Sequence, residues 1–180
     1  IDFLDKVLDS GVTVLKLEWR ARPPEYVYTV TKCYREAADA VIKKEYTTEK
    51  IKKWKEELGT VYNRGFWEGY YLGKKLGEWS GVYGSKATKT KIYKGSVVNW
   101  YAQQKVAAVF LDAGDIIVGD EILITGETTG VIQTRVESLY QNEKTSVIGK
   151  QNNIISFPIE HKVRAKDKVY VLKNKEDIKE

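Results

Sequence analysis

The sequence predicts an α+β protein in which a helical segment is followed by a small β-barrel. Three observations lead to this prediction. Apolar residues recur at helical spacing through most of the first 60 residues. From about residue 88 onward, short alternating segments are separated by turn residues, which is typical of strands. A stretch rich in glycine and aromatic residues lies between these two regions. We therefore predict two domains, residues 1–85 and residues 86–180.

The beginning of the chain predicts a short helix and then a strand. Apolar residues fall at helical spacing at Phe3, Leu4, Val7 and Leu8. Gly11 then provides the C-terminal cap. Residues 12–17 (VTVLKL) predict a strand that is apolar on both faces at several positions. Such strands are usually buried in a parallel sheet.

Two longer helices are predicted next. Pro24 suits the first turn of a helix over residues 25–44. The apolar stripe of this helix is Val27, Val30, Tyr34, Ala37 and Val41. A further helix has Thr47 or Thr48 as its N-cap. Its predicted buried positions are Ile51, Trp54 and Leu58.

Residues 63–84 predict a loop or connector. The glycines are Gly65, Gly69, Gly73, Gly77, Gly81 and Gly84, and they are interleaved with Phe66, Trp67, Tyr70, Tyr71, Trp79 and Tyr83. Their four-residue spacing resembles a helix face. Six glycines within about 20 residues nevertheless cost too much backbone entropy for a stable helix.

The remainder of the chain predicts strands joined by turns. The strands are residues 90–93, 97–101, 105–110, 121–125, 130–140, 154–157 and 168–172. Turn signals lie at Gly95, residues 112–115, residues 119–120, residues 127–130 and residues 165–167. Short strands at this spacing favour a closed barrel, which removes exposed edges. We predict that the acids Asp115, Asp120 and Glu121 are solvated turn formers.

Composition limits the class of protein. It is ordinary for a globular chain, at 42% hydrophobic and 31% charged. No apolar run reaches the roughly 18–20 residues needed to span a bilayer, and acidic residues near the start interrupt any signal peptide. The single cysteine, Cys33, excludes an internal disulfide. We therefore expect a cytoplasmic protein without a membrane partner. Because the chain lacks methionine, we also expect that Ile1 is not a translational start and that the chain is part of a larger protein.

The net charge of +5 is unevenly distributed. Residues 1–90 hold 17 Lys and Arg against 13 Asp and Glu, whereas residues 91–180 hold 13 against 12. A basic half can attract nucleic acid. Lysine-rich helices are more often simply solvated, so charge alone leaves both interpretations open.

Four segments resemble motifs of the collagenase-like peptidase family U-32. Residues 15–27 (LKLEWRARPPEYV) are similar to its K-I-E-G-R-M-K-S-x-E-Y-V segment, and residues 33–39 (CYREAAD) to its V-Y-R-x-A-x-D. Residues 63–73 (NRGFWEGYYLG) resemble its H-R-G-F-T-x-G-F-x-x-G, and residues 118–126 (VGDEILITG) its V-G-D-E-V-E-I-x-G. The four motifs occur in the family's order. Trp19, Ala21 and Asn63 depart from it, since they stand where the family has glycine, methionine and the serine-histidine part of its motif.

This resemblance implies an architecture and partners. Residues 1–60 would be the end of an α/β barrel, with residues 12–17 as its last core strand. Residues 88–172 would be an accessory barrel similar to the second domain of translation elongation factors. The N-terminal α/β barrel of the same protein would be a partner. An iron–sulfur cluster in some family members lies upstream of this chain, so no cofactor is expected here.

Two groups of residues are candidates for substrate or RNA contact. Glu18, Arg20 and Arg22 follow the predicted strand, at the end where α/β-barrel residues act. A carboxylate beside guanidinium groups binds phosphate or polarises a substrate, and otherwise forms a salt bridge that locks the loop. In the second group, aromatic rings beside a cation suit single-stranded RNA, although aromatic residues more commonly pack onto their own domain. That group is Arg64, Phe66 and Trp67.

Catalytic residues are not identified, and three hypotheses of function remain. Cys33 and His161 are far apart in the sequence, no serine lies in a nucleophile elbow, and no residues have zinc-ligand spacing. The first hypothesis is an accessory module that positions tRNA or rRNA for the base hydroxylation that the resemblance implies for some relatives. The second is the substrate-binding part of a peptidase acting on collagen-like or other proteins. The third is a structural module that forms homo-oligomers.

Overall fold

The chain divides into a helical unit and an antiparallel β unit. The computed structural model describes residues 1–69, 71, 73 and 84–178. The two compact units are Ile1–Thr88 and Lys89–Glu180. The fold class is therefore α+β with a β-rich second unit, as the sequence predicts. Of the helices in the described ranges, none has an apolar stretch long enough to cross a bilayer.

The helices of the first unit begin where their sequence signals indicate. They are α1 (Leu4–Asp9), α2 (Pro24–Ile42) and α3 (Thr48–Thr60). Pro24 occupies the first turn of α2, where its missing N–H costs nothing. Thr47 caps α3, because its Oγ1 accepts a hydrogen bond from the Lys50 backbone N–H at 3.4 Å. These cap predictions are confirmed.

The core of the first unit is built from small residues around one indole. Its buried members are Leu4, Cys33, Ala37, Ala38, Ala40, Trp54 and Leu58. The predicted stripe on α2 is buried at Ala37, and Val30 and Tyr34 pack against this core while half-buried. Val27 and Val41 are also half-buried. Small side chains let α2 approach α3 closely, so the larger ones lie beside the contact.

The predicted strand over residues 12–17 does not form. These residues have no assigned secondary structure, and Val14 is 78% exposed. A strand is stabilised by hydrogen bonds to a neighbouring strand. The first unit contains no other strand among its described residues that could provide them.

The second unit is an eight-stranded antiparallel sheet with an additional two-stranded ribbon. The strands are β1 (Lys89–Tyr101), β2 (Val106–Leu111), β3 (Ile116–Ile117), β4 (Glu121–Gly126), β5 (Gly130–Arg135), β6 (Leu139–Gln141), β7 (Lys144–Ser146), β8 (Ile148–Gly149), β9 (Ile154–Pro158) and β10 (Lys168–Asn174). Their order in the sheet is β5-β4-β10-β1-β2-β9-β6-β7, and β3 pairs with β8. Both sheets contribute to a single apolar core, which includes Val109, Ile122, Phe157 and Val171.

Two predicted strands are in fact one. Residues 90–93 and 97–101 belong to the same strand, β1, and the predicted turn at Gly95 is wrong. The ladder between β1 and β10 shifts register between Tyr93 and Gly95, which is the mark of a β-bulge. Glycine therefore signals a bulge and a close backbone approach here. The predicted strand over residues 130–140 is conversely divided into β5 and β6.

The acids of the β3–β4 turn are not all solvated. Asp120 is buried, and its carboxylate accepts hydrogen bonds from Lys173 Nζ at 2.7 Å and from the Ile117 backbone N–H at 3.0 Å. The prediction of a solvated turn former is therefore wrong for Asp120. A buried carboxylate needs such partners because burial removes its hydration.

Candidate functional site

The first unit contains a cavity of about 810 Å³. Its walls come from α1, the segment of residues 15–22, the facing sides of α2 and α3, and the segment that follows α3. The polar and aromatic residues among those lining it include Lys16, Glu18, Arg22, Tyr26, Tyr34, Lys55, Tyr62, Asn63, Arg64, Phe66, Trp67, Glu68 and Tyr71.

Two arginines converge on one tyrosine in this wall. The Arg22 guanidinium carbon lies 3.7 Å from the centroid of the Tyr62 ring and 5.9 Å from that of Tyr26. The Tyr62 hydroxyl accepts a hydrogen bond from Arg64 Nε at 2.9 Å. This hydrogen bond lowers the pKa of Tyr62, and Arg22 contributes in the same direction. Two guanidinium groups are therefore held on one aromatic ring, in a wall that also contains Glu18 and Glu68, and guanidinium groups held in this way can bind an anionic group.

Asn63 fixes the chain between these residues. Its side chain donates hydrogen bonds to the carbonyls of Val61 at 2.9 Å and Gly59 at 3.3 Å, and accepts one from the Gly65 N–H at 3.1 Å. Its own carbonyl accepts from the Lys86 N–H at 2.7 Å. The side chain thus closes a local turn of the kind that asparagine favours. This turn holds the backbone on both sides of Arg64.

Aromatic rings form an exposed part of the cavity wall. Phe66 is 54% exposed and Trp67 48% exposed. Tyr71 lies in a tilted ring contact with Phe3, at 6.1 Å between centroids. Aromatic rings close to arginines are the kind of surface on which a planar group stacks.

Five of the six predicted contact residues line this cavity: Glu18, Arg22, Arg64, Phe66 and Trp67. Arg20 is exposed and is not among the lining residues, and its backbone N–H instead donates to Glu18 Oε1 at 3.3 Å. Their roles stay predictions. Tyr62 was not predicted from the sequence, although its position two residues before Arg64 was an available signal. Tyr70, Trp79, Tyr83, Gly77 and Gly81 of the predicted connector lie outside the described residues.

The described cavity wall contains no serine, threonine, cysteine or histidine. Cys33 is fully buried between α2 and α3, where its Sγ donates to Glu57 Oε2 at 3.3 Å. Burial, supported by the Glu57 carboxylate, raises the pKa of Cys33 to about 12. Because the thiolate is the reactive form, Cys33 does not act as a nucleophile near neutral pH.

The raised pKa of Cys33 predicts a loss of stability in alkali. The unfolded thiol ionises near its ordinary pKa of 9.0, whereas the folded thiol keeps its proton up to about pH 12. The stabilising contribution is therefore complete below pH 9 and lost between pH 9 and 12. At pH 10.5 we expect the parent to lose about 1–2 kcal/mol of unfolding free energy from this thiol. The measurement is urea unfolding at pH 8 and at pH 10.5, and the difference between the two unfolding free energies gives this loss.

Cys33→Ala is the control, because the alkaline loss that remains in this variant comes from other groups. An equal loss in parent and variant would contradict the raised pKa. Rapid alkylation of the native thiol at pH 8 would contradict its burial.

The residues present do not fit an iron–sulfur cluster, the cofactor that the resemblance implies upstream of this chain. Such clusters need several cysteine ligands, and this chain has one. The described residues also contain no group of three or more His, Cys, Asp or Glu side chains arranged to hold a metal ion.

Comparison with known proteins relates the chain to one family. Residues 1–81 match the profile of Peptidase family U32. Over 177 residues the chain is 47% identical to a collagenase of Porphyromonas gingivalis, covering 98% of this chain and 43% of that protein. Over 166 residues it is 24% identical to the tRNA hydroxylation protein P1 of Bacillus subtilis, covering 91% of this chain and 39% of that protein.

One solved structure is also similar, the C-terminal domain of a protein from Geobacillus thermoleovorans described as a U32 peptidase. It matches with a TM-score of 0.42 and 14% identity, covering 44% of this chain and 90% of that one. The chain spans less than half the length of the two curated relatives.

Proposed function

Because this chain belongs to Peptidase family U32, we propose that it is the C-terminal accessory part of such a protein and that it positions RNA for modification of a base. In this proposal the hydroxylation chemistry belongs to the remainder of the whole protein, and this chain binds the substrate. The B. subtilis relative is named for tRNA hydroxylation, which supports tRNA as the substrate.

The main support for this proposal is the set of residues that line the cavity of the first unit. Arg22 and Arg64 supply two positive charges next to the rings of Tyr62, Phe66 and Trp67. An unpaired nucleotide has both a planar base and a phosphate. Single-stranded RNA is commonly bound by stacking its bases on aromatic rings and arginine planes while cations contact its backbone. About 810 Å³ is also large enough for one or two nucleotides.

In this proposal the second unit is an accessory barrel. We infer that its strands close into a barrel similar to the second domain of elongation factors. The single apolar core, which takes residues from both the eight-stranded sheet and the β3–β8 ribbon, supports this.

A peptide substrate is the alternative. The P. gingivalis relative, at 47% identity, is named a collagenase, and aromatic rings with cations also bind polypeptide chains. In that case the cavity would hold an unfolded segment of a protein substrate, and hydrolysis would again require residues of the whole protein outside this chain.

Removal of Arg64 and Trp67 is expected to weaken RNA binding by about 10- to 100-fold. Loss of stacking on one ring costs about 1–3 kcal/mol. Loss of one phosphate contact also reduces the salt dependence, by about 0.7 in the slope of log affinity against log salt. The test is a salt titration of binding to mixed tRNA, with denatured collagen in parallel. It compares the parent with Arg64→Ala/Trp67→Ala.

Arg35→Ala/Trp19→Ala is the matched control. Trp19 is 46% exposed, close to the 48% of Trp67, and neither control residue lines the cavity. Equal losses in the two double variants would show that the cavity is not the binding site. Salt-insensitive or absent tRNA binding, together with cavity-dependent binding of collagen, would replace the proposal with the peptide alternative.

A further inference from the structure

The second unit has a run of basic residues in the loop between β9 and β10 and at the first position of β10. Residues 161–168 (HKVRAKDK) contain four Lys and Arg and one Asp. The remaining residues of 91–180 hold nine Lys and Arg against eleven Asp and Glu. The excess positive charge of this half of the chain therefore lies in eight residues, here named the basic loop.

The cations of the basic loop are exposed, while its acid is not. Lys162, Arg164, Lys166 and Lys168 are all exposed. Asp167 is 6% exposed, and its Oδ2 accepts a hydrogen bond from the Arg164 backbone N–H at 2.8 Å. No carboxylate in the described part of the chain forms a salt bridge with these four cations. The neighbouring Glu160 is paired with Lys105.

The loop is held rigidly against the sheet. Val163 is buried in the core of the unit. The Lys166 N–H donates to the Val97 carbonyl, and the Val97 N–H donates to the Asp167 carbonyl, both at 2.8 Å. Arg164 Nη1 also donates to Thr129 Oγ1 at 3.1 Å. Ordering the loop therefore adds little to the entropic cost of binding a ligand.

We propose that the basic loop binds the phosphate backbone of single-stranded RNA. Four exposed cations in one ordered segment suit contacts with phosphates, and phosphate contacts carry no base preference. The inference rests on the proposed function, and it adds backbone contacts made by residues other than those that line the cavity.

The test neutralises the loop without removing side-chain length. The variant is Lys162→Gln/Arg164→Gln/Lys166→Gln/Lys168→Gln. Its control is Lys6→Gln/Lys43→Gln/Lys52→Gln/Lys53→Gln, which makes the same change in net charge at exposed positions of the first unit. Lys162→Arg/Lys166→Arg/Lys168→Arg preserves the charge and should bind as the parent does. Affinity for a labelled single-stranded RNA is measured from 50 to 300 mM salt, and circular dichroism checks that each variant is folded.

We expect the neutralised loop to reduce the salt slope by about 2–3 and the affinity at low salt by at least about tenfold, since each single-strand phosphate contact contributes about 0.7. If the loop variant keeps the slope of the lysine control while Arg64→Ala/Trp67→Ala loses binding, the loop proposal is wrong and the proposed function stands. If the parent does not bind RNA, both fail. Equal, loop-dependent binding of poly-glutamate would overturn the assignment to RNA.

Discussion

Trp54→Ala is expected to lower the unfolding free energy of the first unit by about 3–5 kcal/mol. Trp54 is 4% exposed and is the largest member of a core whose other residues are two leucines, a cysteine and three alanines. Its ring stacks on Tyr46 at 5.9 Å, and its Nε1 donates to Glu36 Oε2 at 3.0 Å. Small neighbours have little side chain with which to fill the space, so a cavity remains.

The loss of stability in the first unit can be measured from the unfolding of the helical signal, because α1, α2 and α3 all belong to that unit. For a domain of this size, 3 kcal/mol corresponds to a decrease of at least about 12 °C in the melting temperature of the helical signal. Trp54→Phe is the control. It keeps a ring against Tyr46 and loses the hydrogen bond to Glu36, whose side chain is 47% exposed and can bind water instead. We expect it to cost about 1–2 kcal/mol. An unchanged melting temperature in the alanine variant would contradict the assigned core.

The sequence predicted those features of the fold that depend on local chemistry. Thr47 accepts a backbone hydrogen bond and Pro24 has no N–H to lose, so both mark helix ends without reference to the remainder of the chain. The turn at residues 127–130 is likewise local. By contrast, residues 12–17 have the composition of a strand, but strand formation depends on a hydrogen-bonded neighbour that a local pattern does not reveal.

As with the fold, the parts of the candidate site that are close in the sequence were predicted, and its long-range contacts were not. Arg64, Phe66 and Trp67 lie within residues 64–67, so their proximity was expected. Their proximity to Arg22, more than 40 residues earlier, depends on how Asn63 turns the chain after α3 and on the cation–π contact with Tyr62. Such long-range contacts leave no periodic signal. Asp120 was misjudged for the same reason, because its partner Lys173 lies 53 residues away on β10.

Gly95→Ala is expected to destabilise the second unit by about 3–4 kcal/mol. A Cβ at this position would lie 1.9 Å from the carbonyl oxygen of Phe110 and 2.9 Å from its carbonyl carbon. These are backbone atoms of β2, which pairs with β1 on one side and with β9 on the other. β2 therefore cannot move aside without breaking hydrogen bonds in two ladders, at about 1 kcal/mol each, in addition to the strain of overpacking.

Replacing Gly59 by alanine should instead increase the free energy of unfolding. Gly59 lies within α3, and a Cβ there would meet nothing within 4 Å. Alanine in a helix is more favourable than glycine by about 0.5–1 kcal/mol, so Gly59→Ala should stabilise the first unit. Hydrogen exchange resolved by peptide measures both variants, with faster exchange expected in β1, β2 and β9 for Gly95→Ala and slower exchange in α3 for Gly59→Ala. If hydrogen exchange in β1, β2 and β9 were the same in Gly95→Ala as in the parent, the backbone of β2 could not lie against Gly95 in the register described. The close backbone approach would then not explain why glycine occupies the bulge in β1.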